Sequence, residues 1–163
     1  MSFIYKKAEA DSIRPALALV EKVWIEFDLP DMDESALETM RNDITQNDGM
    51  VEKYASGKST MMIAADGEKI VGVIGAGSDG YIRLLFVDGA YHRRGIATEL
   101  LHRMVCELKM RGFDIIKLNS SRYALPFYKN FGFVQTAPEQ KLNQPQWESG
   151  KPQAARFWQA TMA

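Results

Sequence analysis

Apolar positions recur along this chain with two different periods, and the switches between them mark out an alternating order of strands and helices. Ile96, Leu100, Leu101, Met104, Val105 and Leu108 fall on one stripe of a helix, with Gly112 as its C-terminal stop. An earlier stripe of Leu17, Val20, Val23, Trp24 and Phe27 predicts a first helix, capped by Asp11 or Ser12 and carrying Pro15 in its first turn. From Asp31–Asp33 toward Tyr54 the pattern is again helical but more polar. Runs of strand-forming residues occupy Ser2 to Ala8, Thr60 to Ala65, Lys69 to Ala76, Tyr81 to Val87 and Phe113 to Ser120. Asp66-Gly67-Glu68 joins the second and third runs as a hairpin, and Ser78-Asp79-Gly80 leads into the fourth. A short helix from about Tyr123 to Phe131, closed by Gly132, precedes a strand from Phe133. Pro138 to Pro152 is rich in Gln, Pro, Glu and Lys and predicts a loop, before Ala155 to Met162 returns to strand character.

This order, with a hairpin-rich front half, predicts an α/β or α+β sandwich around one mixed sheet. At 163 residues and 46% hydrophobic content, one globular domain spanning residues 1–163 is expected. Lys plus Arg (20) nearly cancels Asp plus Glu (21), so no global field favours nucleic acid or an anionic membrane. No apolar run reaches the roughly 20 residues that span a bilayer, and MSFIYKKAEAD is unlike a signal peptide, so a soluble, cytoplasmic protein is expected. The single cysteine, Cys106, reads as an inert thiol.

Chemistry concentrates where the fourth strand meets the long helix. The first N–H groups of a helix lack internal partners and carry partial positive charge, so they suit an anion. Here His92-Arg93-Arg94-Gly95-Ile96-Ala97-Thr98 adds two guanidinium groups, small residues for close backbone approach and a hydroxyl, which points to a pyrophosphate. The competing reading is a surface connection whose arginines are merely solvated. Gly75 to Gly80 also matches G-x-G-x-x-G, but its last glycine opens a strand and not a helix, so the glycines serve a turn.

His92-Arg93-Arg94-Gly95-Ile96-Ala97 resembles the acetyl-CoA motif of the Gcn5-related N-acetyltransferase (GNAT) superfamily: Gln or Arg, two residues, Gly, one residue, then Gly or Ala, with His92 in the first place. Asn119 and Ala124-Leu125-Pro126-Phe127-Tyr128, ending in Gly132-Phe133, resemble the family's second cofactor motif. The resemblance covers roughly residues 60 to 137, and LLFV and LNSS narrow it to a bacterial subgroup of uncharacterised acetyltransferases. It implies a mixed, mostly antiparallel sheet of six to seven strands with about four flanking helices, its fourth and fifth strands splayed around the pantetheine arm. The cofactor-binding set it implies is Leu85, Phe86, Val87, His92, Arg93, Arg94, Gly95, Ile96, Ala97, Thr98, Asn119, Phe127 and Tyr128, with acetyl-CoA as cosubstrate and no metal.

The implied chemistry is direct acetyl transfer to a primary amine on a small molecule or peptide, without a covalent enzyme intermediate. A strand 4 amide would stabilise the oxyanion, and Tyr128 would serve as general acid toward the departing thiolate, its other reading being aromatic packing. The early strand 4 glutamate of some relatives is replaced by Tyr81. Glu26, Asp88 or a relayed water chain are then the candidate bases, although both carboxylates equally suit a solvated surface, as does His102. Trp24, Phe27, Tyr81, Trp147 and Trp158 are candidate walls of the acceptor pocket. The alternative reading is a non-catalytic acyl-CoA-binding sensor or regulatory module. Large apolar residues in the tail also make a homodimer an expectation.

Overall fold

A computed structural model describes residues 2–120, 124–136, 140–142 and 155–162. The chain opens with β1 (Ile4–Lys7) and α1 (Ala10–Phe27), where Ile13, Leu17, Val20 and Trp24 form the buried stripe. Because that stripe begins at Ile13, the helix starts earlier than expected. Glu9 is its N-cap and makes no side-chain cap bond, so neither Asp11 nor Ser12 caps it, and Pro15 lies inside the helix and not in its first turn.

The polar helical region divides into a 3-10 turn (Leu29–Asp31), α2 (Ala36–Met40), a π-helical turn (Arg41–Thr45) and α3 (Asp48–Ala55). Glu21 of α1 anchors the π-helical turn, accepting from Arg41 Nε at 2.6 Å and Thr45 Oγ1 at 3.3 Å. Asn47 caps α3 by accepting the Met50 N–H at 2.9 Å.

β2 (Thr60–Asp66) and β3 (Lys69–Ala76) form the expected hairpin, with Asp66 opposite Lys69. β4 (Tyr81–Val87) runs antiparallel to β3, and α4 (Ile96–Met110) crosses over to β5 (Ile116–Ser120), which is parallel to β4. β5 starts later than Phe113 because the Phe113 N–H still bonds the Leu108 carbonyl, at 3.1 Å, as part of the α4 C-terminal closure around Gly112. After α5 (Leu125–Phe131) come β6 (Val134–Gln135), β7 (Gln140–Leu142) and β8 (Ala155–Met162). β7 corrects the expectation of a continuous loop there, since it pairs antiparallel with β8; the rest of that loop lies outside the described residues. The sheet follows the seven-strand path β1-β2-β3-β4-β5-β8-β6, with β7 added on β8.

Each face of the sheet carries its own core. Ile96, Leu100, Leu101, Met104 and Leu108 of α4 cover Val71, Ile82, Ile116 and Leu118, while α1 and Tyr54 of α3 cover Ile63, Val73 and Leu84. At about 1.5–3 kcal/mol for each fully buried large aliphatic side chain, these contacts hold the junction between β4 and α4 in place. Gly72 permits the close approach of α4: a Cβ there would stand 2.9 Å from Ile96 Cγ2 and 3.0 Å from Leu100 Cδ1. No helix among the described residues is long and apolar enough to cross a membrane.

Candidate active site

The site begins as a defect in the sheet. Opposite Gly75 and Ala76 of β3 stand Leu84 and Ile82, which leaves Arg83 as an extra, bulged residue of β4. β4 is paired with β5 only through Tyr81↔Lys117 and Ile82↔Leu118, so beyond Ile82 the two strands part. Backbone groups on that side of β4 are left for a ligand to pair with, as an added strand would. The opening is a cleft of about 570 Å³, walled by Leu85, Phe86 and Val87 of β4, Val23, Phe27 and Asp28 at the end of α1, the turn before α4, and Ala124, Phe127 and Tyr128.

The turn is built to receive an anion. Asp88 caps its first part, a 3-10 turn at Gly89–Tyr91, by accepting the Ala90 N–H at 3.0 Å. Asp88 is 3% exposed and pairs with Lys22 (3.0 Å) and Lys69 (3.6 Å). Burial alone would raise its pKa, but the Ala90 N–H and the two ammonium groups outweigh burial and hold the carboxyl below its ordinary value. Asp88 is therefore tied into the scaffold and is poorly suited to be a base. Next along the turn, Arg93 adopts φ 62° and Gly95, the N-cap of α4, φ 78°. Left-handed backbone of this kind directs successive N–H groups toward one point, and Arg93 bears the strain of it without being glycine.

The side chains of the turn divide their tasks. Arg93, Gly95, Ala97 and Thr98 line the cleft, whereas the Ile96 side chain, 1% exposed, also anchors the first turn of α4 in the core. Arg94 does not line it; its guanidinium lies over the Tyr91 ring, 5.1 Å from the centroid. His92 lines the cleft but places Nε2 2.8 Å from the Val87 carbonyl, so that nitrogen carries hydrogen and donates, and only Nδ1 is left to meet a ligand. Its ring packs on Phe27 at 5.1 Å.

Tyr128 reaches the cleft from α5, 7% exposed and held edge-on between Phe127 (5.3 Å) and Phe133 (5.8 Å). Its hydroxyl has no hydrogen-bond partner among the described residues. Burial pushes this phenol well above its ordinary pKa, so it remains a proton donor throughout the neutral range. Asn119 is exposed at the root of the wedge and outside the cleft lining, where its Oδ1 accepts the Tyr81 hydroxyl at 2.7 Å.

Glu26 is also outside. It is exposed, with Oε1 3.4 Å from where a Cβ on Gly89 would stand. The carboxylate that does line the cleft is Asp28, two residues on, which the sequence pattern did not single out. The usable signal was the α1 stripe itself: Val23, 5% exposed in the core, and Phe27, 40% exposed beyond it, both line the cleft. Trp24, by contrast, is buried in the core against the sheet and is no pocket wall. Trp147 and the Trp158 side chain lie outside what is described.

Comparison with known proteins agrees with this arrangement. The sequence matches the family described as "Acetyltransferase (GNAT) domain" over residues 28–146. It is 34% identical over 91 residues to the uncharacterized N-acetyltransferase YafP of Escherichia coli (strain K12), a match covering 56% of this chain and 55% of that protein, so the chain spans about half the length of this curated relative. Among solved structures, the GCN5-related N-acetyltransferase of Rhodopseudomonas palustris described as "Aminotransferase, Class-II" superposes with TM-score 0.80 at 16% identity, over 100% of this chain and 96% of that one. The PaiA N-acetyltransferase of Thermoplasma acidophilum, solved in complex with coenzyme A, superposes with TM-score 0.74 at 14% identity, over 98% of each chain. At these identities the structures establish a shared fold, and the match over residues 28–146 establishes the lineage: this chain belongs to the GNAT acetyltransferase family.

Proposed function

We propose that the protein is an acetyl-CoA-dependent N-acetyltransferase that passes the acetyl group directly to a primary amine, with no covalent enzyme intermediate. The observation that carries this reading is the open wedge between β4 and β5, which joins an anion-receptive turn at Arg93–Gly95 to the unpartnered phenol of Tyr128 in one cleft. The residues fit acetyl-CoA: left-handed backbone at a helix N-terminus suits a pyrophosphate, and an unpaired strand edge suits the amides of a pantetheine arm. When bound, acetyl-CoA supplies an acetyl group activated as a thioester.

The chain's own residues would then do the following. The N–H groups around Gly95 and the Arg93 guanidinium hold the phosphates, while Leu85, Phe86 and Val87 present backbone groups to the arm. A β4 amide faces the carbonyl oxygen and stabilises charge that develops there as the amine attacks. The amine loses its proton before attack, and Tyr128 gives its hydroxyl hydrogen to the departing sulfur. Asp28 lines the cleft where Glu26 does not, and it is the residue proposed for the first of these transfers. YafP and the PaiA protein, both described as N-acetyltransferases, lend the reading support.

The test is acetyl-CoA binding by calorimetry to wild type and Gly95→Glu, with thiol release followed against a panel of amines. Binding that Gly95→Glu abolishes, together with amine-dependent release, is the expected result. Tight binding without release across the panel would favour a non-catalytic acyl-CoA sensor, a reading that the neutral Tyr81–Asn119 pair at the wedge root keeps in view. No binding at all would sink the proposal.

A further inference from the structure

A second cavity, of about 240 Å³, opens between the end of α3 and the β3–β4 turn. Its lining is rich in donors: Lys53, Lys58, Arg83, the Ser59 hydroxyl and the Tyr54 hydroxyl, against the single carboxylate of Asp79. That carboxylate is already engaged, taking Arg83 Nη2 at 2.7 Å and the Tyr81 N–H at 3.1 Å. Lys53 and Lys58 have no carboxylate partner among the described residues.

Tyr54 sharpens the case. It is 4% exposed, yet its hydroxyl finds no hydrogen-bond partner among the described residues. Burial, only partly offset by Arg83, pushes its pKa up to about 12, which keeps the hydroxyl a donor. Room for that oxygen depends on Gly75, since a Cβ there would stand 2.6 Å from it. The Tyr54 hydroxyl and the exposed ammonium groups of Lys53 and Lys58 are donors lining one cavity, and the ligand that would accept from all three is an anion.

Strand β4 links the cavity to the cleft. Arg83 is the bulged residue of β4, two positions before Leu85 of the cleft, or about 7 Å along a strand. Its guanidinium lies over the Tyr81 ring at 5.0 Å, and Tyr81 in turn bonds Asn119 at the wedge root. We propose that this cavity is the subsite for a carboxylate or phosphate group carried by the acyl acceptor, so that the acceptor is an amino acid or a phosphorylated amine and not a polyamine.

The inference rests on the acetyl-transfer reading, and the experiment separates the two. Thiol release from acetyl-CoA is compared for amines paired by charge: phenylalanine with phenethylamine, and phosphoethanolamine with ethanolamine. The anionic member of a pair should show kcat/KM at least about 10-fold higher, and Lys53→Ala/Lys58→Ala should collapse that ratio while acetyl-CoA affinity holds. Calorimetric titration with phosphoethanolamine should show weaker binding to Tyr54→Phe. Inorganic phosphate should inhibit competitively against the amine.

If acetyl-CoA binds but the anionic amines have no advantage and the lysine variants move both members alike, the subsite proposal is overturned. Phosphate that binds without competing with the amine overturns its assignment to the acceptor. Failure of acetyl-CoA itself to bind would strike the transferase reading first, and phosphoethanolamine binding that depends on Tyr54 would then keep the anion site alone.

Discussion

The Tyr81 hydroxyl donates to Asn119 Oδ1 across the last point at which β4 and β5 are still ladder partners. Burial raises the Tyr81 pKa, so the hydrogen stays on the phenol and the Asn119 amide oxygen keeps this donor. Tyr81→Phe should therefore release Asn119 at a cost of only about 1 kcal/mol of stability. The expected kinetic result is a fall in kcat with acetyl-CoA affinity retained, read from steady-state rates beside calorimetric binding. Equal rates for the two proteins would show that Asn119 orientation is idle in turnover.

Gly95 holds φ 78° at the N-cap of α4, and a Cβ there would meet no atom within 4 Å. Alanine would thus suffer no clash but would carry the left-handed penalty of roughly 1–2 kcal/mol, and its methyl would stand where the phosphates are proposed to bind. Gly95→Ala should weaken acetyl-CoA binding by more than it lowers the unfolding free energy in urea. Gly95→Asn, whose side chain tolerates this backbone, should recover the stability and not the affinity.

Tyr128→Phe keeps the ring between Phe127 and Phe133 and removes only the hydroxyl. As the proposed acid it should cost roughly 10²–10⁴ in kcat, with little change in acetyl-CoA affinity. Because burial displaces its pKa upward, no alkaline limb of the wild-type rate profile below about pH 10 should belong to Tyr128. A rate for Tyr128→Phe within twofold of wild type would leave the residue as packing.

Asp88 gives a pH dependence whose sign can be worked out. Its folded pKa lies below the ordinary 3.8, so its ion pairs stabilise the fold above about pH 4 and are lost as pH falls through the lower folded value. Asp88→Asn should be less stable than wild type at pH 7, and the gap should close on going to pH 3. Urea unfolding across that range checks it; a constant gap would show that the loss does not come from the ionised carboxylate.

Gly72 lets α4 sit against β3. Gly72→Val should overpack the contact with Ile96 and Leu100, at about 1–3 kcal/mol, and lower Tm by several degrees. Since Ile96 is the first residue of α4, displacing it should also weaken acetyl-CoA binding. Thermal unfolding and calorimetry on the same preparation would show both.

Periodicity alone carried the sequence a long way. The stripe from Ile96 to Leu108, the hairpin of β2 and β3 and the turn at Gly95 were legible because each depends on neighbours within a few residues, where helix and strand geometry follow directly from side-chain spacing. The spacing His92 to Ala97 and the run Ala124 to Phe133 likewise identified the lineage, being local chemistry written in order. What only the tertiary structure decided were contacts that no local pattern specifies. Nothing local says that Arg83 is a bulge, that His92 spends a ring nitrogen on Val87, that Asp88 is gripped by Lys22 and Lys69, or that Asp28 and not Glu26 enters the cleft. Those outcomes depend on how α1 and the sheet meet, a packing problem settled by burial and by partners 5 to 66 residues away in the chain.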